Sequence, residues 1–340
     1  MDGNPEGPLA GALVVDLTVT LPGPYAASLL QRLGARVVKF EPRSGDVTRM
    51  FPHAHEALNR GKESVAADLK DPGDLALVRA ACARAAVVIE GWRPGVAARL
   101  GVGYDELSAI NPGLVYCSIS GYGSNGALRD RAGHDLNYVA ASGMAGLLFG
   151  NRVPHPLGVP LADLGGGTFA ALRILGALLE RASTGKGAFL DVSLHGAVRE
   201  WVEAIGGASN LEPLELLDGL PHYGVFETAD GHKLTLGTVH EDHFWKALCG
   251  ALGLDGLEDL GLLERAERVD EIKPLVADAI GGRTRDELER VLVGADTCWA
   301  FVDPSIGERR HTGTMPFTSE PAPSLDEHGD AIRREFGASD

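Results

Sequence analysis

The sequence predicts an α/β fold with a mostly parallel sheet, followed by a smaller α+β unit. Short apolar runs alternate with helical segments over roughly the first 200 residues, and a hairpin with three helices comes after them. Strands that alternate with helices are typical of a parallel sheet. The chain has 340 residues, of which 44% are hydrophobic, so we expect two domains and a sizeable core.

The first elements form a βαβ unit. Leu13-Val14-Val15-Asp16-Leu17 is typical of a buried strand, and Pro22-Gly23-Pro24 leads into a helix at 25–33. A second strand is predicted at 36–40, which implies a parallel, right-handed crossover. A polar connection follows from 41 to 62. Later strands are predicted at 64–67, 86–89, 114–119 and 189–192, and helices at about 72–83, 96–110 (two short ones), 135–148, 166–181 and 193–206.

The pattern changes after about residue 210. Ala229-Asp230-Gly231 separates two strand-like segments at 223–228 and 233–237, which predicts a hairpin. Helices are predicted at about 241–251, 269–281 and 284–293, and the tail after about residue 307 is predicted to be loop-rich. This region forms the predicted smaller unit.

Charge and cysteine usage exclude several classes of protein. The net charge of −16 argues against general binding to nucleic acids or anionic membranes. Residues 1–100 carry a balance of +1, so an anionic ligand is expected in the N-terminal third. The four cysteines are far apart, as in a cytoplasmic protein with reduced thiols. We expect no signal peptide and no apolar stretch long enough to cross a membrane.

Two segments contain candidate proton-transfer groups. Gly133-His134-Asp135 places an imidazole beside a carboxylate where a loop gives way to a helix, and Asp163 precedes the triple glycine 165–167. Imidazole and carboxylate are the commonest proton-transfer groups at neutral pH. A glycine-rich helix start near Gly165 can hold an oxyanion. Taken alone, each segment also fits a structural role, with His134 making a structural hydrogen bond and Asp163 acting as an N-cap.

Basic residues follow several predicted strands, where open α/β sheets bind ligands. Arg43 lies after the second strand, and Lys70, Arg93 and Arg99 follow later strands. Arginines there are able to bind phosphates through forked hydrogen bonds, although a solvated, charge-balanced surface has the same composition.

Glu241 begins a predicted helix and is flanked by His240 and His243. A carboxylate at this position favours the helix dipole, which is a structural explanation of Glu241. No further ligand set is apparent in the sequence, so we predict no metal site.

Taken together, these segments resemble the class III CoA-transferase family (CaiB/BaiF type), which includes the α-methylacyl-CoA racemases. The resemblance covers nearly the whole chain in order. It rests on the motifs at 14–17, 22–26, 33–39, 41–46, 59–62, 67–70, 89–95, 99–101, 118–123, 133–138, 161–167, 184–187, 229–231 and 295–298.

The resemblance implies a large Rossmann-like domain built from both chain ends, 1–197 with 310–340, and a small domain at 218–302. Linkers are expected at 198–217 and 303–309, and an interlocked homodimer is implied. The implied ligand is coenzyme A as an acyl thioester, with no cofactor beyond the coenzyme A moiety. The positions that match the family's ligand contacts are Arg43, Ala67, Lys70, Gly91, Trp92, Arg93, Arg99, Gly133 and Asp135.

The family implies two competing chemistries. Transferases use the aspartate that matches Asp163 as a nucleophile, whereas racemases use it as a base opposite the histidine that matches His134. In racemases a glutamate from the other subunit, here matched by Glu241, supports that histidine. The Gly-His-Asp-x-Asn-Tyr pattern at 133–138 resembles the racemase branch. We therefore expect an isomerase of lipid metabolism that inverts 2-methyl-branched acyl-CoA, with a CoA-transferase as the alternative and a non-catalytic CoA-binding protein as a third possibility.

Three departures from the family pattern concern the acyl pocket more than the catalytic pair. Ala127 replaces the usual proline after Gly126, and His195-Gly196 replaces aspartate-glycine. The segment after Cys298 reads Trp-Ala-Phe where the family has Thr-Pro-Val.

Overall fold

The computed structural model describes residues 7–149, 158–206, 219–302 and 318–337. The chain divides into two compact units: Met1–Ala208 with Gly313–Asp340, and Ser209–Thr312. The predicted linker at 303–309 and residues 207–217 of the other linker lie outside the described residues.

The first unit contains the predicted parallel sheet. Its six strands lie in the order β3-β2-β1-β4-β5-β6, and every neighbouring pair is parallel. Because β2 and β3 lie on one side of β1 and β4 to β6 lie on the other, the strand order reverses between β1 and β4, where such sheets bind ligands. The strands are β1 (Leu13–Asp16), β2 (Arg36–Glu41), β3 (Glu63–Ala66), β4 (Val87–Glu90), β5 (Val115–Ser120) and β6 (Ala188–Ser193).

Helices cover both faces of this sheet. Their bounds are α1 (Pro22–Arg32), α2 (Pro52–Asn59), α3 (Pro72–Arg84), α4 (Val96–Arg99), α5 (Tyr104–Ile110), α6 (Asp135–Ala141), α7 (Met144–Phe149), α8 (Leu161–Thr184) and α9 (Leu194–Ala204). One core contains residues of α1 and α8, such as Leu30 and Ile174. The core on the opposite face contains residues of α3 and α5, such as Val78 and Leu107.

Three helix predictions are wrong in detail. The polar connection at 41–62 contains α2, which the sequence analysis missed. The helix predicted at 135–148 is two helices, because Gly143 adopts a left-handed conformation with φ 90° between α6 and α7. The long helix begins at Leu161 and not at Gly166, so Asp163 lies in its first turn and the N-cap is Pro160.

The triple glycine after Asp163 allows neighbouring helices to approach the start of α8. A Cβ on Gly167 would lie 2.7 Å from the carbonyl oxygen of Pro22 in α1, and one on Gly165 would lie 2.8 Å from the Trp201 ring in α9. A Cβ on Gly166 would overlap Leu194. The three glycines therefore fix the first turns of α8 between α1 and α9.

The sequence analysis expected no apolar stretch long enough to cross a membrane, and α8 shows that this expectation is wrong. With 24 residues and a mean hydropathy of 1.3 in its most apolar window, it is long and apolar enough to cross a membrane by those measures alone. Core helices of globular proteins satisfy the same measures, and 44% of that window is buried within the structure. One such helix is therefore weak evidence for a membrane segment.

The second unit contains an antiparallel sheet in the order β7-β8-β9, formed by Tyr223–Glu227, Lys233–Gly237 and Trp299–Phe301. The first two strands form the predicted hairpin, and β9 was not predicted. Apolar residues of the sheet share a core with the helices, for example Leu234 with Trp245 and Ile272. The helices are α10 (Asp242–Leu252), α11 (Leu262–Glu267), α12 (Val269–Gly281) and α13 (Arg285–Leu292).

The C-terminal segment covers the edge strand β3 of the first unit. It contains α14 (Gly329–Phe336), although the sequence predicted a loop-rich tail. The His328 N–H donates to the Ser64 carbonyl at 3.0 Å, and the Ala66 N–H donates to Asp326 Oδ1 at 2.9 Å. These bonds satisfy backbone groups that an open sheet edge would expose.

Candidate functional site

A cavity of about 400 Å³ lies at the carboxyl ends of β1 to β4, beside the reversal of strand order. Four of the nine residues that match the family's ligand contacts line it, namely Arg43, Ala67, Lys70 and Trp92. The Arg43 side chain is 64% exposed, and its guanidinium lies 2.9 Å from Asp74 Oδ2. A phosphate bound here would compete with that carboxylate for the guanidinium.

A second cavity of about 280 Å³ shares Trp92 with the first. It is lined by three more of those residues, Gly91, Arg93 and Gly133, and by His134. Among the residues that the structure describes, Arg99 and Asp135 line neither cavity. The two cavities therefore bring most of the residues selected from the sequence to one edge of the first unit.

A buried charge cluster includes Asp16 of β1 and Lys39 of β2, each next in sequence to a residue that lines the larger cavity, and sequence reasoning did not identify it. Lys62 Nζ lies 3.0 Å from Asp16 Oδ2, and Lys39 Nζ lies 3.0 Å from Asp46 Oδ2. Burial acts to raise the pKa of Asp16, but the two ammonium groups and hydrogen bonds from Thr18 outweigh it and hold that pKa at about 2. Burial lowers the pKa of Lys62 to about 8 against the opposing charge of Asp16. The sequence signal that indicates this cluster is a charged residue within an apolar strand, as with Asp16 in β1 and Lys39 in β2.

Glu90 positions the tryptophan that the two cavities share. It is 5% exposed at the end of β4, and its Oε2 accepts a hydrogen bond from the Trp92 N–H at 2.8 Å. Burial raises its pKa despite hydrogen bonds from Ser118 and Trp92. Sequence reasoning did not select Glu90.

His134 lies immediately before α6 and lines the smaller cavity. Its backbone N–H donates to Asn137 Oδ1 at 3.0 Å, and the Tyr138 hydroxyl donates to the Gly133 carbonyl at 2.5 Å. Within the described part of the chain, the His134 ring makes no hydrogen bond. The backbone of His134 therefore fills the structural role that the sequence analysis left open.

Asp163 lies half-buried in the first turn of α8. Burial raises its pKa, the negative charge of Asp135 raises it further, and His134 opposes both, so that the pKa lies at about 6. The mutual influence of these three groups shows that the segments at 133–138 and 161–167 meet at one site. A carboxylate with this pKa exchanges protons near neutral pH.

The carboxylate of Asp135 occupies the start of α8. Its Oδ1 accepts hydrogen bonds from the Ala162 N–H at 2.6 Å and the Asp163 N–H at 3.1 Å. Gly165 is the fifth residue of α8, where an α-helix directs the N–H to the carbonyl four residues earlier. The expectation of an oxyanion site near Gly165 is therefore wrong.

Glu241 is the N-cap residue of α10 in the second unit. Its Oε2 accepts a hydrogen bond from the Val239 N–H at 3.2 Å, and hydrogen bonds from backbone N–H groups lower its pKa. His240 Nδ1 lies 3.7 Å from its Oε1. In the described residues, no group of three or more His, Cys, Asp or Glu side chains is arranged to hold a metal ion.

A buried group of side chains holds the start of α10, and it was also missed. The Arg265 side chain is fully buried and donates to Asp242 Oδ1 at 2.8 Å, next to Glu241 in sequence. Arg265 also lies 3.0 Å from His222 Nε2 and over the Trp245 ring. Burial and the Arg265 charge lower the pKa of His222 to about 4, so this imidazole is neutral at physiological pH.

Comparison with known proteins gives relatives of two activities. A family model for CoA-transferase family III matches residues 9–310. The acetyl-CoA:oxalate CoA-transferase of Acetobacter aceti is 34% identical over 98% of this chain and 97% of its own. The α-methylacyl-CoA racemase of Homo sapiens is 35% identical over 85% of this chain and 76% of its own. The crystal structure of a CaiB/BaiF family protein from Brucella suis matches with a TM-score of 0.80 at 28% identity, covering 97% of this chain and 99% of that one.

Proposed function

The chain belongs to CoA-transferase family III, and we propose that it is an acyl-CoA racemase or epimerase acting on 2-methyl-branched acyl-CoA thioesters. The observation that carries this proposal is the pairing of His134 with Asp163 at one site. Burial and the charge of Asp135 raise the pKa of Asp163 to about 6, so this carboxyl group is able to take up and release a proton near neutral pH. A two-base reaction requires that property, because each group acts as an acid for one enantiomer and as a base for the other.

Inversion at the α-carbon requires two proton transfers on opposite faces of the substrate. One group removes the α-proton and the thioester becomes an enolate, and the other group then delivers a proton to the opposite face. His134 acts as base for one enantiomer and Asp163 for the other. The net reaction moves protons only, so the proposed chemistry has no redox step and needs no cofactor beyond the coenzyme A moiety.

We place coenzyme A along the two cavities. Arg43 and Lys70 line the larger cavity and would bind the phosphates, while Trp92, common to both cavities, would contact the pantetheine arm. The thioester would then reach His134 in the smaller cavity. We further propose that an interlocked homodimer brings Glu241 of the partner subunit to the His134 ring, where its carboxylate would orient the imidazole.

A CoA-transferase is the second candidate, favoured by the likeness to the oxalate CoA-transferase over nearly the full length of both chains. In that reaction the Asp163 carboxylate attacks the acyl carbonyl and releases CoA thiolate, leaving a mixed anhydride. The thiolate then attacks the aspartyl carbonyl, which releases the donor acid and leaves an aspartyl-CoA thioester. An acceptor acid reverses both steps. This route gives the His134 ring no proton-transfer role.

Hydrogen exchange separates the two candidates. We expect incubation with a single (2R)- or (2S)-methylacyl-CoA in D2O, without an acyl acceptor, to give deuterium at the α-carbon together with epimerisation. His134→Ala should abolish exchange. Absence of exchange with every branched acyl-CoA tested would reject the racemase.

The transferase predicts the opposite set of results. It requires a CoA donor and a free acid, it forms an adduct on Asp163 that hydroxylamine traps, and it largely tolerates His134→Ala. Coenzyme A binding without either reaction would support a non-catalytic CoA-binding protein.

A further inference from the structure

We propose that Asp135 is a positioning residue that joins the start of α6 to the start of α8 and so holds His134 and Asp163 in a fixed relative geometry. The inference rests on the proposed function, because these are the two groups to which that function assigns proton transfer.

The contact has the geometry of a helix cap supplied from another helix. An N-cap side chain ordinarily accepts a hydrogen bond from the N–H of the second or third helical residue. Pro160, at the N-cap of α8, makes no side-chain capping bond. Asp135 Oδ1 fills this role, since it accepts from the second residue, Ala162, at 2.6 Å and from the third, Asp163, at 3.1 Å.

Each end of this link lies next to a proposed proton-transfer group. Asp135 directly follows His134, and one of its two hydrogen-bond donors is the backbone of Asp163. The start of α6 is itself held, because the His134 N–H donates to Asn137 Oδ1 at 3.0 Å and the Tyr138 hydroxyl donates to the Gly133 carbonyl at 2.5 Å. The Asp135 carboxylate therefore connects two fixed helix starts, and a shift of either would move one proton-transfer group relative to the other.

The same carboxylate changes the electrostatics of Asp163. A free helix N-terminus would favour the ionised form of a carboxylate in its first turn. Here the carboxylate of Asp135 already occupies that end, and its charge adds to burial in raising the pKa of Asp163. Among the described residues, the titratable groups that interact with the Asp163 carboxylate are His134, which precedes α6, and Asp135 and Tyr138 of α6. Tyr25 of α1, and the uncharged Leu194 and Trp201 of α9, lie against the glycines that follow Asp163.

Two substitutions separate the geometric effect from the charge. Asp135→Ala removes both hydrogen bonds, and we expect kcat for α-proton exchange to fall by about 10- to 100-fold with KM changed less than about threefold. Asp135→Asn keeps an acceptor oxygen but removes the charge. We expect this variant to lose less kcat than Asp135→Ala. For the enantiomer whose α-proton Asp163 removes, the acid limb of the pH profile should move to lower pH.

Thr284→Ala is the matched control, because it removes the N-cap of α13, where Thr284 Oγ1 accepts from the Glu287 N–H. It should lower the thermal midpoint and leave kcat and the pH profile unchanged. Wild-type kinetics in both Asp135 variants would overturn the proposal.

The pH dependence of carbodiimide coupling at Asp163, followed by peptide mass spectrometry without substrate, tests the link independently of turnover. The midpoint should lie lower in Asp135→Asn than in the wild type, and equal midpoints would overturn the proposal. If the wild type catalyses no exchange, the proposed function fails, and this coupling measurement still decides whether Asp135 acts on Asp163.

Discussion

Asp16 and Asp163 are aspartates of the same unit, and their surroundings shift their pKa values in opposite directions. Asp16 is fully buried at the end of β1, where Lys62 lies 3.0 Å away and Thr18 donates two hydrogen bonds, and its pKa is about 2. Asp163 is only half-buried, yet burial raises its pKa and the negative charge of Asp135 raises it further, to about 6.

Burial alone does not explain the difference, since it acts to raise the pKa of both groups and is greater for Asp16. The partners decide the direction. A carboxylate compensated by ammonium groups stays ionised and holds the structure together, whereas one left beside a like charge takes up and releases protons near neutral pH. Of the two, Asp163 is therefore the functional candidate.

The largest expected effect on stability comes from removing the charge of Asp16. We expect Asp16→Asn to lower the free energy of unfolding by about 3–5 kcal/mol, because it leaves the buried ammonium of Lys62 without its partner. Urea unfolding at pH 7 measures this loss. The depressed pKa of Asp16 contributes stability above about pH 4, which is lost as the pH falls towards 2, so the difference between the two proteins should shrink over that range.

The double variant Asp16→Asn/Lys62→Met is the control for Asp16→Asn. It should recover part of the lost stability, since it removes the unpaired charge as well. A loss below about 1 kcal/mol in the single variant would show that Asp16 is not held as an ion pair.

Asp163→Asn is expected to raise the free energy of unfolding, by a smaller amount than Asp16→Asn lowers it. Ionising Asp163 in the folded protein costs free energy, so the amide should raise the free energy of unfolding at pH 7 by about 2–3 kcal/mol while abolishing exchange. The sign follows from the raised pKa, because the cost is absent below about pH 4, grows between pH 4 and 6, and is complete above that range. Urea unfolding at pH 4 and pH 7 tests this. Equal stability of the two proteins at pH 7 would contradict the contrast with Asp16.

The sequence predicted the parallel sheet, and the basic residues Arg43, Lys70 and Arg93 after its strands, because both depend on local order. The other cavity residues were selected only through the family resemblance. The strand at 13–17 and the residues after strands 2 and 4 are visible as apolar runs followed by polar positions, and the end of a parallel strand is where a ligand binds. The Asp135 cap and the cluster of Asp16 with Lys39 and Lys62 were not predictable in this way. Each of these contacts joins residues that are distant in sequence, and the hydrophobic periodicity of a sequence does not show such contacts.

Two glycines of α8 give the prediction with the smallest expected effect on stability. As with the two aspartates, the same residue type stands at two positions with different surroundings. Gly167 and Gly176 lie in the same helix, and a Cβ would meet the Pro22 carbonyl oxygen at 2.7 Å in the first case and nothing within 4 Å in the second. Gly176→Ala should therefore raise the free energy of unfolding by about 0.5–1 kcal/mol through helix propensity. Gly167→Ala should lower it by about 1–2 kcal/mol, since the overlap with α1 exceeds the same gain in propensity. Thermal and urea unfolding of the two variants compare them directly. Stabilisation by both would mean that the triple glycine is not required for packing, and its place after Asp163 would then need another explanation.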